Sequence, residues 1–165
     1  QPDKGDNLAS MAADSVAYSL IPGRVYLNLK GRERDGWITD KDTPRVLDDL
    51  TASLNHMRDP STGEPILTRI FRKEEAFTGH CFDVAPELVM LSKDGYDLKG
   101  NLKAESLLGP SELVGMHTFD NALLFVGNQT LRAGPACVTD VMPTVLELME
   151  IPTEGLGLDG KSLLG

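Results

Sequence analysis

Only two cysteines, three histidines and one tryptophan occur among 165 residues, and aromatic residues make up 5% of the chain. Cys81 and Cys137 stand 56 residues apart with no Cys-x-x-Cys spacing and no histidine-rich surroundings, which excludes a zinc knuckle. Free cysteine is among the most buried residue types, so both are expected as buried thiols, with pairing left open. Basic residues are also short: 16 Lys and Arg face 25 Asp and Glu, for a net charge of -9. Such a surface does not suit a nucleic acid polymer or an anionic membrane. It still permits a phosphorylated small molecule, because a few local cations or metal ions reverse the field inside one cleft. No apolar run approaches the roughly 18–20 residues of a membrane helix. The polar opening Gln1–Asp6 shows no basic segment leading into an apolar one, so no signal peptide is expected and cytoplasm is the default compartment. There is no Gly-x-Ser-x-Gly elbow, Walker loop, His-Glu-x-x-His or dinucleotide-binding glycine pattern, and no repeat.

What is present reads as α/β. Residues 24–30 (RVYLNLK) alternate and are rich in strand formers, then run into the charged loop Gly31–Gly36. Arg32, Glu33, Arg34 and Asp35 in that loop are expected to be solvated, with weak local ion pairs. Thr43-Pro44 opens a helix, Thr43 as the cap and Pro44 at the first helical position. Val46, Leu47, Leu50, Leu54 and Met57 line one of its faces, and Asp59–Gly63 ends it. Strands are expected at Ile66–Arg72, Glu87–Leu91 and Ala122–Val126, with Ser92–Val114 irregular. Asp140 can cap a second helix running to Met149, with Pro143 tolerated in its first turn. Trp37, Phe71, Phe77, Phe82 and Phe125 are expected to fill the core. Strands alternating with helices predict a mixed sheet with packed helices. Residues 1–16 form a polar, irregular segment ahead of a domain over 17–165.

Among the histidines, His56 reads as a surface residue at a helix end, favoured there by the helix dipole. His80 lies in a loop where the structural reading is preferred. His117 lies in a loop just ahead of an apolar stretch, where α/β folds place ligands and catalytic groups. On the residues alone, a functional and a structural role for His117 stay equally open. One imidazole does not hold zinc, and Asp83, Asp97 and Asp120 show no recognisable spacing to it.

Five segments in order resemble one family. Residues 17–33 (AYSLIPGRVYLNLKGRE), 85–89 (APELV), 115–117 (GMH), 140–149 (DVMPTVLELM) and 158–163 (LDGKSL) are similar to blocks of type I phosphodiesterase/nucleotide pyrophosphatase-like proteins of the alkaline phosphatase superfamily. The resemblance implies the C-terminal portion of an alkaline-phosphatase-like α/β fold. It also implies a phosphoester hydrolase or transferase with two metal ions, usually zinc. In such enzymes a Ser or Thr alkoxide attacks phosphorus while the metals neutralise the phosphate oxygens. His117 matches the last zinc-ligand histidine, and Asp120 would orient it. The nucleophile and the remaining ligands have no counterpart in the chain, so it is expected to be a C-terminal fragment without activity of its own. A noncatalytic binding or interaction module on the same fold is the alternative, and an unrelated α/β domain with a merely hydrogen-bonded His117 is the third. Three departures stand out. Arg34 replaces a Pro, Glu87 replaces the Asp of the second block, and Glu150 replaces the Gly that ends the helix.

Overall fold

The computed structural model describes residues 12, 14–100, 106–110, 115 and 117–165. Most of segment 1–16, parts of the irregular stretch 92–114, and Met116 therefore lie outside the described residues. The chain divides into two compact units, Gln1–Phe119 and Asp120–Gly165.

The first unit is built on four strands: β1 (Ala17–Tyr18), β2 (Arg24–Leu27), β3 (Leu67–Arg72) and β4 (Leu88–Ser92). Their order is β1-β2-β4-β3, and every strand pairing is antiparallel. The expected mixed sheet is thus corrected to an antiparallel one, though α/β stands. The alternation of strand and helix belongs to a split crossover. β2 and β3 both run against β4, hence parallel to each other, and helix α1 (Thr43–Asn55) connects them while β4 fills the gap.

α1 forms over most of its predicted apolar period but ends at Asn55, so Met57, expected on its face, lies beyond it. Val46 and Leu47 are buried, with Leu50 and Leu54 packed behind them against Leu27, Ile38 and Leu88. Its start lies one residue earlier than expected: Asp42, not Thr43, is the N-cap. Asp42 makes no side-chain cap, because its carboxylate accepts the Thr39 hydroxyl at 2.6 Å. The core is aliphatic. Trp37 is 48% exposed, its indole N–H satisfied by the Ser15 carbonyl at 3.0 Å. Phe71, Phe77 and Phe82 are only half-buried and Phe125 is exposed. The aromatic core of the sequence reading is therefore corrected. An indole that needs an acceptor finds it at the rim rather than between α1 and the sheet. Gly36 is dictated by packing, since a Cβ there would lie 1.9 Å from the Leu29 carbonyl oxygen.

In the second unit, α3 (Val141–Leu148) follows a 3-10 turn at Val138–Asp140. A four-residue helix α2 (Lys73–Ala76) belongs to the first unit. Residues 122–126 form no strand, against expectation: among the described residues no strand pairing involves them, and Leu123 and Phe125 stay exposed. Cys81 and Cys137 are free but exposed, not buried, because both sit at the starts of 3-10 turns on loops.

α3 ends where the Glu150 departure stands. Glu150 adopts φ of 57°, its N–H bonds the Glu147 carbonyl, and the Ile151 N–H bonds the Leu146 carbonyl. This is a Schellman end, whose left-handed position favours glycine. Glu150→Gly is expected to stabilise the second unit by about 1 kcal/mol, read as a higher midpoint in thermal unfolding; an unchanged or lower midpoint contradicts the strain.

Candidate functional site

The residues singled out by sequence belong to different loops and turns, and the chain's two units divide them. His117 is exposed in the loop that closes the first unit. Asp120, its supposed orienting partner, begins the second unit. Asp83 is exposed in a 3-10 turn, and Asp97 is an exposed carboxylate paired with Lys99. Among the described residues, no group of three or more His, Cys, Asp or Glu stands ready for a metal ion. His56 is exposed at the end of α1, its Nδ1 2.6 Å from the Ala52 carbonyl oxygen, as a helix-end residue should be. His80 is exposed in its loop.

What does converge is a charged network that sequence reading missed. Arg32, expected in a solvated loop, is only 20% exposed and reaches across to Glu87, whose side chain is 5% exposed. The pairing is bidentate: Nη1 donates to Oε1 at 2.6 Å and Nη2 to Oε2 at 2.9 Å. Glu87 Oε2 also accepts the Leu27 backbone N–H at 2.8 Å, while Arg32 Nη2 donates to the Leu27 carbonyl at 2.9 Å. Lys73 Nζ stands 3.5 Å from Oε1. On the other side, Glu33 Oε1 accepts Arg32 Nε and the Tyr18 hydroxyl, both at 2.7 Å, and Oε2 accepts the Leu29 N–H at 2.7 Å. The Arg32 guanidinium also lies 5.9 Å from the Tyr26 ring, which stacks on Tyr18 across the β1–β2 pair. Only Arg34 and Asp35 behave as the expected exposed pair.

The electrostatics follow from this geometry. Burial alone would raise the Glu87 carboxyl; the Arg32 hydrogen bonds, the Leu27 N–H and the charges of Arg32 and Lys73 outweigh it and hold the group below its ordinary range. Burial and the bond to Glu33 push the Tyr18 phenol up, so it keeps its proton. Arg32 is raised further as well: desolvation opposes its charge, and bonds to both carboxylates overcome the penalty. Every side-chain nitrogen and oxygen of Tyr18, Arg32, Glu33 and Glu87 has a protein partner. Such a network fastens the strands together; it offers no free base or nucleophile.

The second unit repeats the device on a smaller scale. Asp140 stands at the N-cap position of α3, but against expectation its carboxylate does not cap the helix and instead accepts the backbone N–H groups of Cys137 at 2.8 Å and Lys161 at 2.9 Å. Thr144, 2% exposed, donates to the Asp140 carbonyl at 2.6 Å and accepts the Leu163 N–H at 3.0 Å. Gly160 passes so close to the Thr139 carbonyl oxygen that a Cβ would lie 2.1 Å from it.

No family model, curated protein or solved structure matches this chain.

Charge pairing at Glu87 makes a direct prediction. Arg32→Met leaves a buried carboxylate with only Lys73 nearby and should cost about 3 kcal/mol in urea unfolding at pH 7. The double variant Arg32→Met/Glu87→Gln, which keeps an acceptor for Leu27, should recover a large part of that loss. Because the folded carboxyl is depressed, its contribution is fully present above the unfolded value near about 4.3 and is lost as pH falls through the lower folded value. The wild-type chain should therefore lose stability below that point along a limb that the double variant flattens. Equal costs for the single and double variants would refute the pairing.

Proposed function

We propose that this chain is the C-terminal part of a metal-dependent phosphoester hydrolase or transferase of the phosphodiesterase/nucleotide pyrophosphatase type. It acts on a phosphorylated small molecule, and His117 supplies one ligand to its zinc centre. The fold in this reading is the C-terminal portion of an alkaline-phosphatase-like domain. One observation supports the reading above the others: residues of separate resembling blocks are one another's partners. Tyr18, Arg32 and Glu33 from the first block meet Glu87 of the second. Asp140 and Thr144 of the helix block hold the backbone of Lys161 and Leu163 in the last block. Chance matches scattered along an unrelated chain have no reason to bond to each other. The Gly-favouring backbone at Glu150 fits the same pattern.

The fit to zinc itself is incomplete. Zinc takes three or four protein ligands, and among the described residues His117 is joined by no cluster of further donors. The described residues therefore do not make such a centre by themselves, and no chemical step is derived through it. On this reading the 165-residue chain alone turns over no substrate.

The test uses the protein in its natural full length. His117→Ala should lower bound zinc and reduce hydrolysis of bis(4-nitrophenyl) phosphate by about a hundredfold or more, near 2.7 kcal/mol in barrier. Unchanged metal content and rate would remove His117 from the centre. A wild-type protein that neither binds zinc nor cleaves the ester would overturn the phosphoesterase reading in favour of a binding module.

A further inference from the structure

A groove of about 620 Å³ lies wholly within the second unit, inside the roughly 300–1,000 Å³ range of ligand-sized clefts. Pro143 and Glu147, one turn apart on α3, line one side, which Glu150 continues. The other side runs from Leu158 to Ser162, and Ile151 and Glu154 join the two. Both sides are held in place by backbone bonds: the Ile151 N–H on the Leu146 carbonyl, and the Lys161 and Leu163 N–H groups on Asp140 and Thr144. Pro143, Ile151 and Leu158 give the groove an apolar strip, with Ile151 41% exposed. Glu147, Glu150 and Glu154 border that strip. All three are exposed, and among the described residues none enters an ion pair. Lys161 is the one cation lining the groove among the described residues, and its charge already acts on the Asp140 carboxylate.

Two of these carboxylates stand where local physics disfavours them. Glu147 lies in the last turn of α3 and Glu150 just beyond it, against the negative end of the helix dipole. Glu150 also holds the left-handed backbone that suits glycine. Local choices that cost stability yet place charge along a groove are the pattern of a binding surface. Among the described residues the carboxylates are not grouped for a metal ion. We propose that this groove docks a basic peptide segment of a partner protein, an aliphatic side chain lying on the apolar strip and flanking Lys or Arg side chains meeting the three glutamates. The excess of negative charge selects a cationic partner. The apolar strip selects a peptide over a bare polyamine, because burying an aliphatic side chain adds its own driving force. This docking goes beyond the phosphoesterase reading and does not rest on it.

The experiment is an amide NMR titration of the 165-residue chain with three probes: the peptides acetyl-Lys-Leu-Arg-Lys-amide and acetyl-Lys-Ser-Arg-Lys-amide, and spermine. The leucine peptide should bind below about 1 mM at low salt, with shifts centred on Glu147, Ile151, Glu154 and Lys161, and should weaken as salt is added. The serine peptide and spermine should each bind at least about fivefold more weakly. Glu150→Gly should weaken the leucine peptide about threefold with no loss of thermal stability, a combination that a purely structural glutamate does not give. Ile151→Ser should bring the leucine peptide down to the level of the serine peptide. Glu74→Gln removes an equal charge from exposed α2 and should leave binding unchanged. Shifts centred outside the groove, equal binding of spermine or the serine peptide, or equal losses for Glu150→Gly and Glu74→Gln overturn the docking site. Because no zinc or turnover is involved, that failure is separate from any failure of the His117 experiment.

Discussion

The bidentate pairing of Arg32 with Glu87 holds together parts of the chain that local propensity would not join. Arg32 follows β2 by five residues, and Glu87 directly precedes β4. Their bond, with Leu27 held through both its N–H and its carbonyl, pins the end of one strand to the start of its neighbour. β2 and β4 share few backbone pairs of their own, Arg24 with Val89 and Val25 with Leu88. The side-chain network therefore carries the ladder on where backbone pairing stops. It also explains why Leu27 and Leu88, the two fully buried leucines of the core, sit beside a charged pair. A buried ion pair contributes little net stability against an apolar replacement, but breaking one partner is costly, so it enforces one arrangement over others.

The second unit solves the same problem with fewer means. One carboxylate and one hydroxyl, Asp140 and Thr144, fix the last residues of the chain against the start of α3. Leu163 is its one buried hydrophobic among the described residues. Val141, Met142, Val145, Leu148 and Met149 together leave a broad apolar face of α3 open. A helix apolar nearly all round is the kind that larger proteins bury.

Elements with strong local signals were legible in the sequence. The 3.6-residue period of Val46, Leu47, Leu50 and Leu54 gave α1, strands at 24–27 and 67–72 fell inside the expected segments, and the strand expected at 87–91 formed at 88–92, one residue further on. Where partners lie far apart, local pattern was blind. Nothing in Gly31–Gly36 distinguishes a solvated Arg32 from one that meets a carboxylate 55 residues away. Sheet direction was misread for a related reason: β-α-β alternation is the same whether the strands are adjacent or separated by a third. The apolar run at 122–126 has a strand's composition but joins no strand pairing among the described residues, and propensity without pairing makes no strand. The resemblance, by contrast, selected the network residues as members of shared blocks without indicating that they touch. His117 was equally visible, yet among the described residues no group of three or more His, Cys, Asp or Glu forms a metal site around it.

Function and fold meet at the edges of this framework. The network consumes its own charges, while His117 lies exposed in a loop outside it. That division of labour depends on Glu87 being ionised and bonded to the Leu27 amide. Native-state hydrogen exchange followed by NMR tests this most directly. The Leu27 amide should be protected nearly to the limit of global unfolding at neutral pH, and its protection factor should collapse ahead of that of Leu50 in α1 as pH falls below the carboxylate range. A Leu27 amide that exchanges freely at neutral pH, or keeps its protection relative to Leu50 on acidification, would contradict the account.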